Sequence, residues 1–481
     1  MIVNDNIDTC RHFPAPPWPS GRLPIAYLLA AIALIGCQRS PELAEFSGSY
    51  PDRASPNGTT REFQVVAAAS KVPLFDGRPF EVWAYNEQVP GPAFRVRLGE
   101  TIRVTFTNKL PQPTTIHWHG VRVPNAMDGV PGVTQPPIQP GETFVYEFTP
   151  KDAGTFWFHP HLRSSEQVER GLFGALIVED EEPPPYSRDE LWVIDDWLLT
   201  REGTLYEEFN TRHDLAHDGR WGNLITVNGQ RTPRLMVRPG ERVRLRLLNV
   251  ANGRVFAPDL SALDAKVIAV DGLYAARPLS PAGFELAPGN RLDLDIRVPS
   301  DADGQRFTIF DRFTRQVIPL AEITVSGEPV TTPQFESPAR AHVPAWKRPE
   351  EATPLRATFR LNARSGGPFG IQWTINDEVM DHATHALPHH RQHLPIGEFS
   401  RLRFTNESYR LHPMHIHGMF FKVLARNGVA VDEPHFRDTA LIHSKESVDI
   451  GTVPTDVGKW MLHCHILEHA ESGMMTVVEV N

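Results

Sequence analysis

The stretch Gly99-Glu-Thr-Ile-Arg-Val-Thr-Phe-Thr-Asn108 decides the fold class, because it occurs three times. Gly240-Glu-Arg-Val-Arg-Leu-Arg-Leu-Leu-Asn249 and Gly397-Glu-Phe-Ser-Arg-Leu-Arg-Phe-Thr-Asn406 repeat it without a gap. A turn residue followed by apolar residues at every second position is a strand signature. A second pattern, Pro then Gly four or five residues later and then an aromatic-rich strand, recurs as Pro150/Gly154, Pro299/Gly304 and Pro454/Gly458. Two motifs in the same order in every copy predict an all-β chain of three β-sandwich units, about 140 to 160 residues apart.

Working outward, Pro and charged residues cluster at 180–190 and 327–354, which places the units at 61–182, 190–328 and 355–481. The composition agrees. With 44 Pro and 34 Gly among 481 residues, short strands and turns are expected rather than long helices. A formal net charge of −10 argues against a nucleic-acid partner, which would want a basic surface. Three Cys cannot build a disulfide framework, whereas 21 His point to metal, since histidine is the commonest metal ligand.

Aligning the three copies locates that chemistry. Nine residues after the repeat Asn stand His117 in the first unit and His415 in the third, each followed two residues on by another, His119 and His417. Five residues after the second-motif Gly stand His159 and His463, followed by His161 and His465. The middle unit has Pro258, Leu260, Ile309 and Asp311 at these places and reads as a spacer for this chemistry. Residues i and i+2 of a strand share a face, so each pair presents two imidazoles to one volume. Eight nitrogen donors are twice what one tetrahedral ion uses, so a cluster of ions at the seam of the first and third units is expected.

The third unit adds Cys464 between His463 and His465, with His412, His469 and Met474 at short spacings around it. Two His, a Cys thiolate and a Met are the ligand set of a blue-copper electron-transfer site. The first unit has Thr114 and Pro160 where the third has His412 and Cys464, so it lacks the means for a second such site.

The four segments His117-Trp-His-Gly120, Trp157-Phe-His-Pro-His161, His412-Pro-Met-His-Ile-His-Gly418 and His463-Cys-His-Ile-Leu-Glu-His469, with Met474, resemble the copper motifs of multicopper oxidases, in their three-domain, laccase-like bacterial branch. The resemblance covers about residues 60–481 and implies three consecutive cupredoxin-like Greek-key domains holding four copper ions. By it, Cys464, His412, His469 and axial Met474 hold the type 1 copper that takes electrons from substrate. His117 and His415 hold the type 2 copper, and His119, His159, His161, His417, His463 and His465 the type 3 pair. Four one-electron oxidations would then reduce O2 to two waters. The four protons consumed require nearby acids. Asp128 matches a family position near the type 2 site. Some relatives carry Glu directly after the second type 1 His, where this chain has Ala470; Glu468 and Glu471 are the available stand-ins. The implied substrates are O2 and a small reductant, either a phenol or aromatic amine or, alternatively, Cu(I). The nine Met are scattered rather than gathered into a methionine-rich insert, which weighs against a specialised cuprous oxidase. A copper-free interaction protein would have lost ligands, and a nitrite reductase would lack the type 3 set. A monomer is expected.

Two features stand outside the repeats. Leu23–Gly36 is an apolar run of 14 residues with Arg11 and Arg22 before it, the pattern of an export signal and too short to span a bilayer. Leu34-Ile-Gly-Cys37 resembles a lipobox, which implies a periplasmic lipoprotein anchored through Cys37, with 38–60 as tether. The third unit also has a longer connection before its repeat Gly, crowded with His382, His385, His389, His390 and His393; it reads as a solvated loop or an accessory metal-binding segment.

Overall fold

The computed structural model of the chain describes residues 54–339, 354–380 and 391–481. The apolar run, Cys37 and His382 to His390 lie outside the described residues.

Each repeat strand is a central strand of its sheet. Thr101–Asn108 lies parallel to Thr60–Leu74, Arg242–Asn249 to Arg188–Trp197, and Ser400–Asn406 to Ala357–Ser365. Parallel neighbours cannot be joined by a hairpin, so in each unit the chain crosses out of the sheet and returns. A second sheet of four, four and five strands faces each of these, and the histidine strands belong to it in the first and third units. Every unit has its own apolar core: Phe106, Trp118 and Phe158 in the first, Leu245, Val267 and Leu294 in the second, Phe404, Trp460 and Leu462 in the third. Among the described residues no helix is long and apolar enough to cross a membrane.

The repeat Asn explains how the strand hands the chain to the site. Asn108, Asn249 and Asn406 are buried, and each accepts, through Oδ1, the backbone N–H two residues ahead at 2.9 Å. Each donates Nδ2 to a carbonyl four or five residues on: Gln112 at 3.0 Å, Arg254 at 2.8 Å and Arg410 at 2.7 Å. One side chain therefore folds the connecting loop on itself, as Asx-turns do. In the first and third units that loop delivers His117 and His415 at the same point, and their strands pair identically: His117 with His159, His415 with His463. In the middle unit Pro258 pairs with Asp311, not with Ile309 at the equivalent place, beside a bulge at Ile309/Phe310.

Candidate metal centre

The eight histidines of the paired motifs meet at one seam, all buried. His117 of the first unit stacks on His417 of the third at 3.8 Å between ring centres, and His119 stacks on His415 at the same 3.8 Å. His161, His417 and His465 stand just past the ends of their strands, yet their rings still face this volume, with His161 and His417 each 5.0–5.2 Å from His463.

Hydrogen bonds fix which nitrogen six of the eight rings offer. A carbonyl only accepts, so Nδ1 donates from His117 to Asp128 O (2.8 Å), from His159 to Pro160 O, from His415 to Asp438 O and from His463 to Cys464 O (each 2.9 Å). His417 donates Nδ1 to the Asp128 carboxylate at 2.8 Å. These five rings present an unprotonated Nε2 to the seam. His119 is reversed: its Nε2 donates to Asp438 Oδ1 at 3.1 Å, leaving Nδ1 as the lone pair.

The lone-pair atoms have nothing to accept. Nε2 of His117, His159 and His415, Nδ1 of His119 and both ring nitrogens of His465 are buried without a hydrogen-bond partner. Each such orphan costs about 1–3 kcal/mol unless something satisfies it. Burial holds His119, His159, His417, His463 and His465 well below the ordinary imidazole range and His415 below it, so these rings stay neutral, the form that binds a metal. Converging neutral nitrogens in three sets, His117/His415/His417, His117/His119/His159 and His161/His417/His463, could each hold a metal ion. The donor set fits a transition-metal cluster.

The second cluster lies on the other face of the Gly458–Cys464 strand, where alternation sends Cys464. Its Sγ is 3.6 Å from His412 Nδ1 and 3.8 Å from His469 Nδ1, and the two Nδ1 atoms are 3.2 Å apart. The far nitrogens are tied: His412 Nε2 to Ser408 Oγ at 2.9 Å, His469 Nε2 to His217 O at 2.8 Å. Trp373 covers the pair, 4.1 Å from the His469 ring. Met474 is buried in the same core and accepts the Cys464 N–H on its carbonyl at 3.1 Å. Burial pushes the Cys464 thiol up, so only a bound cation would make it a thiolate here.

This pair of centres, joined through one cysteine, is the observation on which the comparisons bear. Sequence models described as multicopper oxidase match residues 67–183, 188–326 and 345–481. A solved multicopper oxidase from Pseudomonas thermotolerans superposes with a TM-score of 0.77 at 32% identity, covering 88% of this chain and 100% of that one. The chain belongs to the multicopper oxidase family. The oxidase is accordingly an all-β, three-domain cupredoxin-like oxidoreductase that uses copper, with O2 the acceptor of the family reaction. It is also similar to a copper resistance protein A homolog of Pseudomonas syringae pv. tomato (25% identity; 93% of this chain, 96% of that one) and to laccase-2 of Cryptococcus neoformans var. grubii (25%; 96% and 91%).

The carboxylates divide. Asp128 is at the seam: besides holding His417, its Oδ1 is 3.3 Å from His117 Nδ1 and is buried without a hydrogen-bond partner. Glu468 is fully buried but turns to Asn252 Nδ2 (2.8 Å) and the Arg220 N–H (3.1 Å) in the middle unit, and burial pushes its carboxyl up to about 7. Glu471 accepts from Ser165 N (2.9 Å) and Asn210 (2.6 Å), a brace between units. Sequence reasoning missed Asp438, Ser408, Trp373 and Arg291. None has a spacing to the histidines that a strand or turn rule would single out.

Proposed function

We propose that the oxidase couples four one-electron oxidations of a small phenol or aromatic amine to the reduction of O2 to two waters. The observation that carries this is the two-centre donor set bridged by His463-Cys464-His465. In this reading Cys464, His412, His469 and Met474 hold one type 1 copper; His117 and His415 hold the type 2 ion; the other six seam histidines hold the type 3 pair. When bound, copper supplies one-electron transfer at the first centre and reduction of O2 at the second.

The protein's own groups do the rest. Cys464 links the centres twice, through its peptide bonds to His463 and His465 and through the His463 Nδ1–H bond to its carbonyl. Burial of every seam histidine keeps bulk water from the lone pairs and strengthens electrostatics there. Asp128, with one oxygen unpartnered at the seam, is assigned as the group that passes protons to the oxygen being reduced; Glu468 is assigned as the second proton donor, at one remove. We assign the domains to 61–182, 190–328 and 355–481, and the whole to an exported monomer anchored through Cys37.

One observation favours Cu(I) as an alternative reductant. His469 has no exposed surface, and the carbonyl that caps its Nε2 belongs to His217, which with His213 forms an exposed pair of imidazoles 4.2 Å apart. Oxygen uptake by the copper-loaded oxidase, measured side by side with a phenol, an aromatic amine and Cu(I), tests both readings. Four reductants consumed per O2 is expected; no uptake with any of the three at full copper loading would overturn the enzyme assignment.

A further inference from the structure

Arg291 belongs to the middle unit, which contributes no seam histidine, yet it is a residue on which all three units converge. It is completely buried, and all five of its N–H groups are used. Nε donates to Thr155 O of the first unit at 3.0 Å. Nη1 donates to Gly289 O (2.9 Å) and to Asp438 Oδ1 of the third unit (3.0 Å). Nη2 donates to Asp271 O (2.8 Å) and Asp438 Oδ2 (2.6 Å). Asp271, also of the middle unit, accepts the backbone N–H groups of Asp438 and Thr439 on one carboxylate oxygen, each at 3.2 Å. Asp438 is thus held at its side chain by Arg291 and at its backbone by Asp271.

What Asp438 holds in turn is the geometry of two seam histidines. Its carboxylate accepts from His119 Nε2 and its carbonyl from His415 Nδ1. These contacts assign opposite tautomers to two rings stacked 3.8 Å apart. A neutral imidazole has no strong tautomer preference of its own, so the acceptor decides which nitrogen is left to bind metal. The approach also depends on two left-handed glycines. A Cβ at Gly120 (φ +79°) would lie 2.3 Å from Arg291 Nη2 and 2.4 Å from Asp438 Oδ2. A Cβ at Gly289 (φ +86°) would lie 2.9 Å from His119 Cε1 and 3.0 Å from His465 Cδ2.

We infer that the middle unit, through Arg291 and Asp271 acting on Asp438, sets the tautomers of His119 and His415 and thereby assembles the trinuclear ligand set. Arg291, Asp271 and Asp438 are positioning residues in this account, which rests on the assignment of the seam as the trinuclear copper site. Loss of such outer contacts typically lowers metal affinity about 10- to 100-fold.

The test uses the full chain as Arg291→Met, Arg291→Lys and Asp438→Asn, titrated with copper and followed by metal analysis, the visible absorption of the cysteine-bound copper and the electron paramagnetic resonance of the type 2 ion. Wild type must first load both centres; if it does not, the copper assignment itself fails, independently of this inference. Expected for Arg291→Met and Asp438→Asn is a drop of about 10-fold or more in copper affinity confined to the seam. The visible band of the Cys464 site stays intact and the type 2 spectrum is altered, with partial recovery in Arg291→Lys. If Arg291→Met fails to fold, Asp438→Asn decides, since it preserves size and one acceptor oxygen. Unchanged affinity and spectrum, or equal loss from both centres, would overturn the inference.

Discussion

The Nε2 atoms of His417 and His463 face each other at 3.1 Å, and neither carries a proton, because each ring donates its Nδ1–H elsewhere. Two lone pairs at that distance in a buried seam repel, and a cation between or beside them makes the arrangement favourable. Removing copper with a reductant and chelator should therefore lower the Tm, and returning Cu should restore it. The stabilisation is about 4 kcal/mol for a site at a thousandfold excess over its Kd. Differential scanning calorimetry at fixed metal concentrations reads it; an identical Tm with and without copper would refute a seam organised for metal.

Asp128→Asn keeps an acceptor for the His417 N–H but removes the carboxylate assigned to relay protons. Reoxidation of the reduced enzyme by O2 should slow by about 10²–10⁴, the usual contribution of a positioned acid. Reduction by substrate under anaerobic conditions should be unaffected, because the Cys464 centre lies on the other face of its strand. Stopped-flow absorption separates the two half-reactions.

Glu468 offers a pH signature. Its carboxyl is raised by burial from the ordinary range to about 7, with the Asn252 and Arg220 bonds opposing, so the folded state holds its proton more tightly than the unfolded one. The stability this gives is complete below about pH 4.5 and is lost as pH rises through 7, by up to about 3 kcal/mol. Glu468→Gln, which does not titrate, should flatten that decline. Urea melts from pH 4.5 to 8.5 measure it, and parallel pH slopes for variant and wild type would contradict it. If Glu468 also supplies protons, the same change should remove the limb near pH 7 from the kcat profile.

Ser408 holds the far nitrogen of His412. His412 Nε2–H donates to its hydroxyl at 2.9 Å, and the hydroxyl in turn donates to the repeat residue Asn406 at 2.8 Å. Ser408→Ala leaves that N–H without its acceptor, costs about 1 kcal/mol and makes the imidazole a weaker donor. The potential of copper bound at Cys464 should rise, and if Met474 is the axial ligand proposed, Met474→Leu should raise it further. With Met474 in place, redox titration should return a low-to-middling value; one among the highest laccases would oppose the axial assignment.

Much of the site was legible because strand geometry is local. A turn Gly, period-2 alternation and a terminal Asn state where each central strand begins and ends, and the same Asn that closes the motif folds the loop leading to His117 and His415. His-x-His spacing and the placement of Cys464 between two histidines follow from alternation across one strand. The two residues that organise the seam were not legible. Asp438 lies 319 residues from His119 in sequence, and Arg291 lies 147 from Asp438. The middle unit read as a spacer because it has no histidine at the four equivalent positions, and it contributes none to the seam; its part is to hold rather than to ligate.

Sequence alone therefore determined the class of fold, the three repeats and which histidines gather beside Cys464 and at the seam, since each rests on residue type and short-range period. The tertiary structure alone decided which nitrogen six of the eight seam histidines offer, that Asp128 reaches the seam while Glu468 turns to the middle unit and Glu471 braces neighbouring units, and that Arg291 ties three units together. Those are hydrogen-bond choices between groups far apart in the chain. No local rule encodes them, because burial by the neighbouring unit is what makes each bond necessary.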